Sequence, residues 1–290
     1  MKRVIKSLSK IIPDKLYLSL VYFKHFGHFP NFRNPQTFNE KIQWLKLYDR
    51  NPEYTKMVDK YAVKKYIAET IGSQYVIPTL GVWDRFEDID FDKLPNRFVL
   101  KCTHDSGGVI ICKDKSSFDI EAAREKITRN LGRNLYYYGR EWPYKNVPPR
   151  IIAEKYMEEK GKIVPEDYKI YCINGEPKYI VIFHNRFNSE KHLSESVYDV
   201  NWVLQPVSLD DHFDVCKEDI PRPECLDELL HITRILCKNM SQVRIDFYII
   251  EGKIYFGEIT FHTASGFQKM IPESLDFELG KLIRLPEKRA

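Results

Sequence analysis

Near the C-terminal end, two runs rich in Val, Ile, Tyr and Phe, residues 243–250 and 254–261, flank Glu251, Gly252 and Lys253. This pattern predicts a β-hairpin, because β-branched and aromatic residues favour strands and Gly252 has no Cβ to oppose the positive φ of a tight turn. Side chains alternate across a strand, so Arg244 and Asp246 share one face, as do Glu258 and Thr260. Whether the two pairs meet depends on the turn. A three-residue loop over 251–253 sets Ile250 opposite Ile254, Asp246 opposite Glu258 and Arg244 opposite Thr260; a two-residue loop sends the pairs to opposite faces.

The same reading places the other elements. Phe38, Ile42, Leu45 and Tyr48 recur at amphipathic spacing behind a Thr37 cap, with Glu40 three residues on, which predicts a helix ended by Pro52. A second helix is expected from about Pro52 to Ile71, with Met57, Val63 and Ile67 inward and Asp59 and Lys60 solvated in its middle. A short strand over 75–82 and an acidic linker lead to a strand over 97–104, the tip Asp105, Ser106, Gly107 and Gly108, and a returning strand over 109–113. Bare glycine N–H groups at such a tip can close over phosphate. A charged helix over 117–135, a strand over 150–157, a hairpin over 165–184 and a helix over 226–239 complete the pattern. Lys101 and Lys169 each interrupt an apolar strand, and a cation there needs a partner or an anionic ligand.

Composition narrows the class. With 290 residues, 43% hydrophobic and 30% charged, the chain is globular rather than disordered. The net charge of +4 is spread along the sequence, so the clustered basic footprint of a nucleic-acid-binding protein is missing, and an anionic small molecule fits better. The six cysteines show no zinc-like spacing, and Cys102, Cys112, Cys172 and Cys237 sit in apolar runs, which points to a reducing, cytoplasmic setting. No run approaches the roughly 20 apolar residues of a membrane span. The basic start (Lys2, Arg3, Lys6, Lys10) ahead of residues 16–23 allows a weak peripheral contact with an anionic membrane surface.

With Asp246 opposite Glu258, two carboxylates stand roughly 4.5–5.5 Å apart at Cβ. An oxygen-only pair suits Mg²⁺, which completes its shell with phosphate and water oxygens. The alternative is an ion pair in which Arg244 or a lysine neutralises Asp246.

Taken in order, these pieces resemble the TupA-like branch of the ATP-grasp superfamily over nearly the whole chain, from Pro35 onward. The resemblance implies an α+β ATP-grasp fold, two α+β subdomains clasping ATP behind a short helical N-terminal segment, divided at 1–58, 59–152 and 153–290. It implies that Lys60, Lys101 and the tip residues Ser106, Gly107 and Gly108 meet phosphate. Glu154, Lys155 and Met157 would form the adenine hinge, through backbone groups of Lys155 and Met157, and Asp167 would bind ribose. Asp246, Glu258 and Thr260 would hold Mg²⁺, with Arg244, Lys101 and Lys169 as catalytic cations. Thr260 departs from the Asn carried by many ATP-grasp ligases. The implied activity is a carboxylate–amine ligation through an acylphosphate, on a uronic acid or peptide substituent of a cell-surface polysaccharide. A glycosyltransferase using a nucleotide-sugar is the alternative, but it leaves the strand lysines and the hinge unexplained.

Overall fold

The structure is a computed structural model that describes residues 11–158, 166–184, 193–216 and 219–288. The basic residues Lys2, Arg3, Lys6 and Lys10 lie outside them. Two compact units divide the chain, one from the described residues of Met1–Arg50 and Pro165–Ala290 and the other from Asn51–Val164. This differs from the expected three-part division. The N-terminal helices belong with the C-terminal half, because the apolar face of one of them packs on strands more than a hundred residues later.

Helices α1 (Asp14–Phe26) and α2 (Phe38–Tyr48) open the first unit. The expected cap at Thr37 is present: its hydroxyl accepts the Glu40 N–H at 3.1 Å, and the Glu40 carboxylate returns to the N–H groups of Gln36 and Thr37.

The second unit begins with α3 (Glu53–Val58) and α4 (Ala62–Thr70), not one helix. The break falls at Asp59, whose backbone leaves the helical region (φ −72°, ψ 112°). Its carboxylate then accepts the N–H groups of Tyr61 at 2.9 Å and Ala62 at 3.2 Å, so the residue expected to be solvated is a buried cap. Strands β1 (Thr79–Trp83), β2 (Phe98–Cys102), β3 (Ile110–Cys112) and β4 (Ile151–Lys155) form an antiparallel sheet ordered β1-β4-β2-β3. One face of it (Phe98, Leu100, Cys102, Ile151, Ala153) packs on Ala123 and Ile127 of α5 (Ile120–Leu131). Period-two alternation turns Lys101 and Glu154 to the other face.

The first unit resumes with β5 (Asp167–Ile173), β6 (Glu176–His184), β7 (Ser194–Asp199), β8 (Leu204–Gln205), β9 (Asp214–Val215), α6 (Leu226–Leu236), β10 (Gln242–Ile250), β11 (Lys253–Thr260) and α7 (Ser274–Leu282). Its sheet runs β11-β10-β5-β6-β7-β8, with β9 also on β7. Phe38, Ile42 and Leu45 of α2 and Leu275 and Leu279 of α7 pack against Tyr171, Val181 and Val197 of the sheet. Among the described residues no helix is long and apolar enough to cross a membrane.

Candidate functional site

In the first unit the hairpin β10–β11 differs in detail from expectation and reaches the expected result by another route. Its loop has two residues, not three: Ile250 pairs with Lys253, and Glu251 and Gly252 turn the chain at φ 49° and 75°. That loop alone would put the two pairs on opposite faces. A β-bulge at Gly257 restores them, because Phe247 pairs with Phe256 while Asp246 pairs with Glu258, so one extra residue is absorbed. A Cβ on Gly257 would stand 3.0 Å from the Asp246 carbonyl oxygen, which is why the bulge carries glycine.

The bulge brings Asp246 opposite Glu258 and Arg244 opposite Thr260. Arg244 grips Asp246 through Nε at 2.7 Å and a terminal nitrogen at 2.8 Å. The same terminal nitrogen reaches Glu258 at 2.8 Å and the Thr260 hydroxyl at 3.2 Å. From the neighbouring strand Lys169, paired with Asp246 in register, donates to Asp246 at 2.5 Å and lies 3.3 Å from Asp167. Asp246 is only 2% exposed. Burial alone would raise its pKa, but the charges of Arg244 and Lys169 outweigh it and hold the carboxyl below the usual range. Burial works against the Arg244 charge, and Asp246 and Glu258 more than offset it, so the guanidinium is held firmly ionised. The ion-paired alternative left open by the sequence is therefore the arrangement seen.

These residues also fit a hard cation. Asp246, Glu258 and Thr260 present oxygen donors only, and Asp167, Asp246 and Glu258 set three carboxylates against the two cations Arg244 and Lys169. Glu258, with its side chain 42% exposed, is the accessible member. The terminal nitrogen of Arg244 touches all three donor groups, so a cation shared by them requires this nitrogen to move away.

The second unit carries a separate cluster. Lys101 lies 2.5 Å from one Glu154 oxygen and Lys64 lies 2.7 Å from the other. Lys64 also donates to the Ile77 carbonyl at 2.6 Å. Burial would raise the Glu154 pKa, but Lys101 and Lys64 win and hold it below the usual range. Burial pulls the Lys64 ammonium pKa down despite Glu154. Sequence reasoning missed Lys64, because in a helix holding Lys64, Lys65 and Glu69 it reads as solvated surface. It also missed that the Glu154 side chain would be the counter-ion answering Lys101.

Lys60 donates its ammonium to the Asp105 carbonyl and its N–H to the Thr103 carbonyl at 2.9 Å, so it anchors the root of the glycine tip. Ser106 and Gly107 are exposed, and Gly108 is buried against Asp105 and Asn130. Asp59 accepts from Arg150 at 2.8 Å. In the expected hinge the Lys155 N–H bonds the Pro78 carbonyl at 3.0 Å. Met157 is half-buried just beyond the end of β4.

The α+β architecture is the one expected of the ATP-grasp fold. A family profile described as TupA-like ATP-grasp matches residues 40–284, and the chain belongs to that family. No curated protein matches the sequence. Among solved structures the chain is similar to D-alanine–D-alanine ligase from Bacillus anthracis complexed with ATP, at 19% identity and a TM-score of 0.41, over 71% of this chain and 55% of that one. It is also similar to a RimK domain ATP-grasp protein from Sphaerobacter thermophilus, at 11% identity and a TM-score of 0.43, over 79% of this chain and 69% of that one. A third is L-amino acid ligase from Bacillus licheniformis, at 14% identity and a TM-score of 0.42, over 74% and 44%. The chain thus spans little more than half the length of the first of these and less than half of the third.

Proposed function

We propose that this chain is an ATP- and Mg²⁺-dependent ligase joining a carboxylate to an amine through an acylphosphate, with a uronic acid or a peptide substituent of a cell-surface polysaccharide as the carboxylate substrate. The observation that carries the reading is the face shared by Arg244, Asp246, Glu258 and Thr260, with Lys169 at its edge. Family membership supports it, and the polymer context rests on the family alone.

In the proposed reaction a substrate carboxylate oxygen attacks the γ-phosphorus of ATP. The bond to the β-bridging oxygen breaks and ADP leaves. An amine then attacks the acyl carbon, phosphate departs and the amine loses a proton. Phosphoryl transfer asks the protein chiefly for position and charge neutralisation. Lys60 and Lys101 neutralise phosphate oxygens, and Lys64 remains on Glu154 when Lys101 turns to the nucleotide, so the buried carboxylate is never left unpaired. The Lys155 carbonyl and the Met157 backbone read the base, Asp167 the ribose, and the N–H groups of Ser106, Gly107 and Gly108 cover the phosphates. Asp246, Glu258 and Thr260 hold Mg²⁺, which when bound supplies charge neutralisation at the phosphates. Arg244, released from the carboxylates, steadies the transferring phosphoryl group, with Lys169 keeping Asp246 ionised. Need for ATP, together with the free thiols of Cys102, Cys112, Cys172 and Cys237, favours a cytoplasmic setting.

The test is to incubate the protein with Mg·ATP, uronic and amino acids, and hydroxylamine. ADP and an acid-dependent hydroxamate are expected. Stabilisation by a nucleotide-sugar but not by ATP contradicts the reading.

A further inference from the structure

Helix α1 is apolar on two sides, and only one of them is buried. Leu18 and Tyr22 are buried, and Leu18 packs with Phe32 and with Leu47 of α2. Leu16, Leu20 and Phe23 recur at spacings of four and three, so they are neighbours on a single stripe, on the side away from Leu18 and Tyr22. Each is 46–52% exposed, and Phe29, at 59%, stacks on Phe23 with ring centroids 4.8 Å apart. Exposed apolar side chains scattered singly are ordinary, whereas a contiguous set of them marks a surface that meets another body.

The charges beside the stripe have one sign. Lys15 and Lys24 are exposed on the helix, and the chain leading into it carries Lys2, Arg3, Lys6 and Lys10. Residues 1–29 hold one acid, Asp14, and its carboxylate accepts from Arg50 at 2.9 Å. His25 and His28 count as neutral at pH 7, and burial together with the charges of Lys24 and Lys269 pulls the His25 pKa down. The acids that share a cavity with α1, Glu40, Asp211, Glu273 and Asp276, meet it at Tyr22, His25, Phe26 and His28. No residue of the stripe lines that cavity.

Leucine and phenylalanine beside lysine match a bilayer surface, where apolar side chains sink below the headgroups and ammonium groups meet anionic phosphates. A second copy of the chain fits less well, because a two-fold contact across the stripe would set these cations against their own kind. A helix of 13 residues is about 20 Å long, too short for a hydrocarbon core of about 30 Å, so the contact runs along the surface. We infer that α1 docks this protein on a membrane surface rich in anionic phospholipid, through Leu16, Leu20, Phe23 and Phe29 with Lys24 beside them.

The test is flotation of the full chain with vesicles of phosphatidylcholine, with and without phosphatidylglycerol. Binding should be at least fivefold stronger to the anionic vesicles and should weaken as salt is raised. Leu20→Gln with Phe23→Gln changes exposed side chains, and Leu16→Gln with Leu20→Gln leaves the stacked rings intact. Each double variant should keep the wild-type urea midpoint and lose at least tenfold in vesicle binding. Lys24→Glu should weaken binding to the anionic vesicles. No binding, equal binding to both vesicle types, or binding that survives both double variants overturns the inference. So does a concentration-dependent dimer that the double variants dissolve, since a second copy would then cover the stripe.

Discussion

Single side chains carry the sharpest consequences. Arg244 meets Asp246, Glu258 and Thr260 through one planar fork, which a lysine cannot reproduce. Arg244→Lys should therefore lower kcat for ADP formation by about 10²-fold while the protein stays folded, as loss of a preorganised charge contact typically does. Glu154 is 5% exposed between the half-buried Lys64 and Lys101, so Glu154→Gln leaves two partly desolvated ammonium groups without a counter-ion and should cost about 3 kcal/mol in urea unfolding. The pH dependence has a definite sign. The folded-state pKa of Glu154 is depressed, so its contribution is fully present above the unfolded carboxyl value of about 4.3 and fades as pH falls through the folded value. The gap between wild type and Glu154→Gln should narrow below that pH; a gap that widens there contradicts the assignment. Lys101 and Lys169 were legible in the sequence because a charge on an apolar strand stands out. Lys64 was not, since nothing in a helix surface reveals which lysine a distant strand will bury.

At the level of elements, the hairpin shows what alternation can and cannot say. Pattern identifies both strands and both pairs of candidate residues. It does not fix the register, because a two-residue turn plus a bulge and a three-residue turn without one place Asp246 against Glu258 equally well. Gly257 makes the difference. Gly257→Ala would set a methyl 3.0 Å from the Asp246 carbonyl oxygen, and this strand backbone has little room to yield. We expect a loss of about 1–2 kcal/mol, the scale of a strained core insertion, and a larger proportional fall in turnover than in stability, since the displaced group is the Asp246 backbone itself. Unchanged unfolding and unchanged kcat would show that the bulge is not what sets the site. The helix break at Asp59 has a similar origin. Apolar spacing ran on through it, and only a capping carboxylate that also binds Arg150 ends one helix and starts the next.

For the whole molecule, the sequence was sufficient for an α+β class and a family, and the family profile matches residues 40–284. The assignment of α2 to the C-terminal half was not legible, since it depends on Phe38, Ile42 and Leu45 meeting a sheet formed far along the chain. The central claim is phosphoryl transfer from ATP to a substrate carboxylate. The most direct measurement supplies uronic acids labelled with ¹⁸O in the carboxyl group, together with Mg·ATP and an amine or hydroxylamine, and follows the label by ³¹P NMR. An acylphosphate intermediate requires transfer of one labelled oxygen to phosphate for each ADP formed; AMP and pyrophosphate as products, or phosphate free of label during acid-dependent turnover, would contradict it.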